Sequence, residues 1–325
     1  MRVKPQLPRP SFGITRMRDV EFGESPIVEG GSVTLNRELD SEEIRKLWKL
    51  QFGIELGEKW SNIGHLQELQ CDQTGLVFYR PREAAGGPEL YEQLQENPWY
   101  YQEEKWEHNE AIGILGVKDR ILEIGSGTGA FLRKAIAFGL DVSGCETNLK
   151  AAAAMREDGL RVYTLPVEEL LTNIPGTRFD AICTFQVLEH ISEPGSFIRS
   201  CLELLAPHGR LVISVPNNAR LRHLDPDGQD LLNHPPHHMG KWDENVFRSL
   251  EKFFPVLVES VSFDFLHPNH VKPFLRRHIM RAPLFRGRLE GIVSRFSRVL
   301  ARIVTTLRVN RLVRGDNILV VLRKV

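Results

Sequence analysis

Residues 121–132 read ILEIGSGTGAFL, an apolar run that ends in glycines at 125, 127 and 129 before a helical pattern opens at Ala130. A strand, a glycine-rich turn and a helix in that order reverse the chain tightly and leave the main-chain N–H groups of the helix start open to a ligand. Gly125, Gly127 and Ala130 also fit the fingerprint G-x-G-x-x-G/A, so the loop marks the nucleotide end of an α/β domain without choosing the cofactor. Working outward, further apolar runs alternate with helical patterns: DVSGCE, RVYTL, FDAICTF, GRLVISV, VLVESVSFDF and, at the C-terminus, NILVVLRK. With RILEIG they make seven strands, and such a pattern predicts an α/β fold with a doubly wound, Rossmann-like sheet. Glu146 lies 21 residues beyond Gly125, at the end of the second run. A carboxylate there can accept hydrogen bonds from both hydroxyls of a ribose.

The 325 residues are 42% hydrophobic and 26% charged, an ordinary globular composition for one large domain or two modest ones. Nowhere do 18 apolar residues run together, and the N-terminus lacks the apolar stretch of a secretory signal, so a cytoplasmic protein is expected. Cys71, Cys145, Cys183 and Cys201 have neither metal-knuckle nor disulfide-framework spacing. The net charge is zero, yet the last 55 residues hold fourteen basic residues against Glu290 and Asp316 alone. That split argues against a uniformly basic nucleic-acid binder and for a basic segment with its own role.

Four regions follow. Residues 1–39, with little apolar periodicity, are expected to form a poorly ordered arm. Residues 40–110 form a small N-terminal domain, with a helix from Asp40 and a strand pair in LQCDQTGLVFYRP. Residues 111–265 with 314–325 form the sheet domain, and 266–313 a basic helical insertion before the last strand.

Glu123, VEEL at 167–170, FDAICTFQVLEHI at 179–191 and LELLAPHGRLVISVPN at 202–217 follow the glycine turn in order, and together they resemble the class I S-adenosylmethionine-dependent methyltransferases. The resemblance implies S-adenosylmethionine as cofactor. By it, Gly125, Ser126, Gly127 and Gly129 surround the methionine part, Glu123 belongs to the cofactor-binding set, and Glu146 holds the ribose. Val167 and Glu168 would read the adenine, and Phe185 and Gln186 would meet the amino acid end. Two other readings stay open. An NAD(P)-dependent oxidoreductase shares the glycine turn and Glu146, although residues 179–262 supply no Tyr-x-x-x-Lys pair. A scaffold that binds the cofactor without catalysis is the other.

NHPPHHMGKWDENVFRSL, residues 233–250, resembles a stretch of ubiquinone-type O-methyltransferases and sugar methyltransferases. It falls beyond the C-terminal edge of the sheet, as does His190. A neutral imidazole can take a hydroxyl proton as the oxygen attacks the methyl group, so His238 is the expected base, with His190 and His237 behind it. The acceptor is expected to be a small molecule: a sugar, a glycan precursor or a quinone-like hydroxyl. Some relatives hold a divalent ion through a Glu-x-x-Glu-His motif. Here Gln186, Glu189 and His190 occupy it, and the loss of one anionic ligand leads to the expectation of no metal. LQCDQTGLVFYRP also resembles the end of a zinc ribbon, but Thr74 stands where the partner of Cys71 would be, so a metal-free remnant is expected. Tyr100 and Tyr101, just before the sheet domain, would contact the cofactor carboxylate or pack in the core.

Within the insertion, apolar residues recur at 289, 292, 293, 296, 299, 300, 303, 304 and 307, with Arg288, Arg295, Arg298 and Arg302 on another face. The simpler expectation is a lid or dimerisation helix, its stripe packed on the sheet domain or on a second copy in a homodimer. Peripheral contact with an anionic membrane through residues 284–308 is the alternative. No nucleic acid is expected, since Phe285 and Phe296 are the only aromatics beside these arginines.

Overall fold

The computed structural model describes residues 24–97, 100, 104–225, 228–268, 270–272, 274–275 and 290–325, with the backbone alone for 290–295. Strands β1 (Val33–Asp40), β2 (His65–Cys71), β3 (Val77–Arg80) and β9 (Gly240–Lys241) form one sheet, in that order. The other seven are β4 (Arg120–Ile124), β5 (Asp141–Cys145), β6 (Val162–Tyr163), β7 (Phe179–Phe185), β8 (Leu205–Pro216), β10 (Val256–Phe265) and β11 (Arg314–Lys324). They form a second sheet in the order β10-β11-β8-β7-β4-β5-β6. All seven runs predicted as strands are in it. β4 pairs in parallel with β5 on one side and β7 on the other, so the order of the sheet reverses at β4. In open α/β sheets a crevice for ligands opens at that point, beyond the carboxyl ends of the strands. β11 returns antiparallel between β8 and β10.

Alternation along the strands separates two cores, as a pleat of period two requires. Leu122, Ile124, Leu211, Ile213 and Val215 face helices Val167–Asn173 and Pro194–Leu204. Ile121, Ala181, Cys183 and Val212 face Ala111 of helix Trp106–Ile114 and Phe131, Leu132 and Ala135 of helix Ala130–Ala137.

Two expected boundaries are corrected. Residues 33–39, placed in a poorly ordered arm, form most of β1, because all of them but Asn36, at a register shift, find a ladder partner on β2 that is distant in sequence. Ser25, Pro26 and Ile27 are buried as well, and residues 1–23 lie outside the described residues. The small N-terminal region is not a self-contained domain either. Its sheet is completed by β9, and Leu69, Leu76 and Phe78 share a core with the large sheet. Leu39, Leu66 and Tyr79 pack instead with Ile44 and Trp48 of helix Ser41–Phe52.

One buried carboxylate ties the small sheet together. Glu68 stands directly opposite Arg37 of β1 and Tyr79 of β3 in the ladders. Its Oε2 accepts from Arg37 Nη2 at 3.0 Å, Lys241 Nζ at 2.9 Å and the Tyr79 hydroxyl at 2.7 Å. Burial alone would raise the Glu68 carboxyl, but Lys241 and Arg37 more than offset it and hold it well below the usual carboxylate range. Glu68→Ala leaves two buried cations without their counterion, so a loss of about 3–5 kcal/mol in urea unfolding is expected. A loss under about 1 kcal/mol would show that the cluster does not hold the sheet.

Candidate active site

The cofactor end is built on the β4 turn. Gly125 has φ +77°, and a Cβ there would lie 2.4 Å from Val187 Cγ2, so the turn and the loop after β7 are in contact only because residue 125 has no side chain. Ser126 Oγ donates to the Glu123 carbonyl at 3.1 Å and accepts from Cys145 N–H at 3.2 Å, which locks the turn to the next strand. The Glu146 carboxylate accepts from Gly127 N–H at 2.7 Å and Asn148 N–H at 2.8 Å, so it stands across the turn with both oxygens oriented. The segment before Val167 is held to the same edge, with Glu146 N–H donating to the Tyr163 carbonyl at 2.9 Å. Val167 is buried, and Glu168 is exposed beside it. Gly129 caps helix Ala130–Ala137 in the left-handed region.

Glu123 is 3% exposed, and its Oε2 has no hydrogen-bond partner among the described residues. Burial pushes its carboxyl up to about 8. A buried carboxyl with one oxygen unpartnered under a glycine turn gains from ionising beside a positive charge, and the ammonium and sulfonium of S-adenosylmethionine fit that test. The Phe185 ring packs 5.1 Å from His108 and 4.9 Å from Phe131. Gln186 holds φ 58°, and its amide nitrogen lies 3.3 Å from Ser214 Oγ and 3.5 Å from Asn317 Oδ1. A non-glycine residue kept in that region at the end of β7 is strained backbone of the kind that functional sites retain.

The substrate end gathers the three expected histidines. Rings of His190 and His237 lie 4.6 Å apart, those of His190 and His238 5.0 Å, and those of His237 and His238 4.5 Å. Each Nδ1 meets an acceptor: His190 the His237 carbonyl, His237 the Leu232 carbonyl at 2.8 Å, His238 the Asn233 Oδ1 at 3.2 Å. Asn233 is oriented in turn by donating to Asn218 Oδ1 at 3.1 Å. Carbonyl oxygens only accept, so Nδ1 of each ring is placed as a donor; the Nε2 of His237 faces the Tyr100 hydroxyl, and His190 also meets the Gln186 main chain. Burial keeps the rings neutral, lowering His190 to about 4, His237 to about 3 and His238 well below its ordinary value.

Further neighbours surround the trio, of which Tyr91 and Lys105 were not singled out from sequence. Glu189 is 1% exposed, with its Oε1 4.0 Å from His190 Nε2, and burial raises it to about 8. Tyr100 places its hydroxyl 3.2 Å from His237 Nε2, and Tyr91 sets its ring edge-on to His190 at 5.5 Å. Tyr101 lies outside the described residues. Lys105 acts electrostatically on both Glu123 and Glu189. His234, from the same loop, serves as an anchor, with Nδ1 2.7 Å from the Tyr79 hydroxyl and Nε2 2.8 Å from the Gly228 carbonyl. Trp242 is fully buried beside Phe247.

Ligand atoms of His190, His237 and His238 all lie within 4.8 Å of one another, so the trio can also hold a divalent cation. Imidazoles whose second nitrogen donates to a carbonyl are the usual form of a histidine metal ligand. The expectation of no metal rested on Gln186, and this trio does not use Gln186. Cys71 is buried, with Sγ 3.4 Å from Gln73 Oε1, and Thr74 Oγ1 accepts from Leu76 N–H at 3.2 Å.

A family profile described as a methyltransferase domain matches residues 99–252. Over 104 residues, 30% of this chain and 41% of the relative, the sequence is 36% identical to a ubiquinone biosynthesis O-methyltransferase of Caulobacter sp. (strain K31). Over 114 residues, 33% of this chain and 43% of the relative, it is 35% identical to the enzyme of that name from Psychrobacter cryohalolentis. The matched stretch thus spans less than half the length of these curated relatives. A crystal structure of a SAM-dependent methyltransferase from Archaeoglobus fulgidus superposes with TM-score 0.43 and 19% identity, covering 72% of this chain and all of that one.

The site makes stability depend on pH. Folding lowers the pKa of five histidines (His108, His190, His234, His237, His238) and raises that of three carboxyls (Glu123, Glu189, Asp264). Between about pH 4.5 and 6 the unfolded chain therefore binds a net two more protons, and stability rises with pH by on the order of 2 kcal/mol per pH unit. Between about 6.5 and 8 the folded chain holds the extra protons on Glu123 and Glu189, and stability falls again. Urea midpoints from pH 5 to 8.5 are expected to peak near 6.5; a flat profile would overturn this reading.

Proposed function

We propose that this chain, whose residues 99–252 are a class I S-adenosylmethionine-dependent methyltransferase domain, transfers a methyl group from that cofactor to a hydroxyl oxygen of a small molecule. A sugar, a glycan precursor or a quinone-like phenol has the required hydroxyl. The observation that carries this reading is the juxtaposition of the two site halves. The glycine turn follows β4, His190 follows the adjacent parallel strand β7, and the loop before β9 brings His237 and His238 against His190; Gly125 abuts Val187, three residues before His190.

A sulfonium is already activated, so the protein's task is to align the acceptor in line with the S–CH3 bond and to exclude water. In the step itself the acceptor oxygen bonds the methyl carbon, the C–S bond breaks with its electron pair leaving on sulfur, and the acceptor proton passes to His238 Nε2. Glu146 orients the ribose, and Glu123 offsets the cofactor's positive charge. A second reading is favoured by the closeness of the three imidazoles, whose ligand nitrogens lie within 4.8 Å of one another: a divalent cation on His190, His237 and His238 would lower the pKa of the acceptor hydroxyl.

Calorimetric titration of S-adenosylmethionine should show Glu146→Ala binding at least tenfold more weakly than the parent. His238→Ala should keep the affinity and lower kcat by about 10²–10⁴. Tight NADH binding without a response to S-adenosylmethionine would overturn the methyltransferase reading. Activity lost in a chelator and restored by zinc or manganese would replace the base by the cation.

A further inference from the structure

The predicted apolar stripe of the insertion is divided between two faces. Helix Glu290–Thr306 turns Ser297, Ala301 and Val304 inward, the last two against Leu266, Val271 and Val313. Phe296, Val299, Ile303 and Leu307 point outward, 48–67% exposed. At 100° per residue these four share a sector of about 80°, one continuous ridge. Val309 and Leu312, the latter 85% exposed, add exposed apolar side chains just past the helix end. Leu266, Val271 and Val313 all belong to the insertion itself, so the inward face packs within residues 266–313. Leu289 and Arg288 lie outside the described residues, as do the side chains of Ile292, Val293 and Arg295.

Charge states what can cover the ridge. Between residues 291 and 315 there are six arginines and no acidic residue. Arg298, Arg302, Arg308 and Arg311 are exposed around the ridge. We propose that this face, Phe296 to Leu312, docks on the surface of an anionic lipid bilayer, apolar side chains entering the acyl boundary and arginines meeting headgroup phosphates. An amphipathic helix with apolar and basic flanks is the usual form of such a contact. Spanning is excluded for the described helices, none of which is long and apolar enough to cross a membrane. A second copy related by a two-fold axis would set the same arginines against each other. Apart from Phe296 the ridge is branched aliphatic, which gives nucleic-acid bases little surface to stack on.

The location gives the contact a use. Leu312 stands two residues before Arg314, which lines a cavity of about 690 Å3 with Arg220, Phe263, Phe274 and Asn217. Asn217 adjoins Asn218, the residue that orients Asn233 and through it His238. Docking by the ridge therefore holds this cavity beside the lipid surface, where an acceptor carried on a lipid would be met. This last clause rests on the methyltransferase reading; the docking itself does not.

The test is sedimentation of the full chain with vesicles of phosphatidylcholine containing 30% phosphatidylglycerol, against pure phosphatidylcholine. At least tenfold stronger binding to the anionic vesicles, weakened in 0.5 M salt, is expected. Phe296→Ser with Ile303→Ser, and separately Arg298→Glu with Arg302→Glu, should each lower it at least tenfold. These side chains are exposed, so the Tm and cofactor binding should stay at the parent values. No anionic preference, or equal binding by both double variants, would overturn the proposal. So would a concentration-dependent dimer abolished by Phe296→Ser with Ile303→Ser in a chain that ignores vesicles. Failure of methyl transfer with vesicle binding intact would count against the enzyme reading alone.

Discussion

A single carboxylate oxygen, Glu68 Oε2, receives Arg37, Lys241 and the Tyr79 hydroxyl, and through them it joins all four strands of the small sheet. Each of these groups would be costly to bury alone. Together they also fix the loop that carries the site, since Lys241 belongs to β9 and Tyr79 holds His234. His237 and His238 lie between those two anchors in the chain. The β3–β9 pairing is only two residues long, Val77 with Lys241 and Phe78 with Gly240. So short a ladder is marginal by itself, and the buried ion cluster supplies what backbone hydrogen bonds do not.

The large sheet was legible because parallel strands covered on both faces are written as unbroken apolar runs. Its glycine turn and the position of Glu146 follow from local backbone requirements. β1 could not be read in the same way. VTLNRELD mixes acids, an arginine and an asparagine with its apolar residues, and its ladder partners lie some thirty residues on. β9 is two residues inside a histidine-rich loop, too short for any period to show. The insertion helix taught the opposite lesson: a stripe of nine apolar positions is wider than one buried face, and nothing in the pattern says which edge of it meets the protein.

At the site, the histidines stood out by their density, but their state did not. That His237 and His238 place Nδ1 as a donor depends on the Leu232 carbonyl and on Asn233, ordinary residues whose role exists only once the loop closes. Glu189 was visible in the sequence; its burial beside His190, and hence its raised pKa, was not. Phe185 shows the converse. The position matched a family pattern, while its aromatic ring satisfied the core through Phe131 and His108. Sequence patterns mark where main chain meets cofactor, whereas side-chain roles are settled by packing.

The depressed pKa values bear on how such a trio could serve methyl transfer. An imidazole whose conjugate acid forms only near pH 3–4 is a weak base and would rarely ionise a free hydroxyl. Alkylation by a sulfonium does not require that. As the carbon–oxygen bond forms, the oxygen gains positive charge and its proton becomes strongly acidic, so even a weak acceptor held at the right place can take it. Burial that weakens the base also keeps it unprotonated and hydrogen-bond-ready across the neutral range. The resulting imidazolium would be poorly solvated, and the carboxyl of Glu189, 4.0 Å from His190, is a polar neighbour to the trio. The same lack of resident charge makes the trio receptive to a cation. Base and metal site are thus two uses of one electrostatic condition: three imidazoles held by carbonyls in a pocket that disfavours protons until chemistry supplies one.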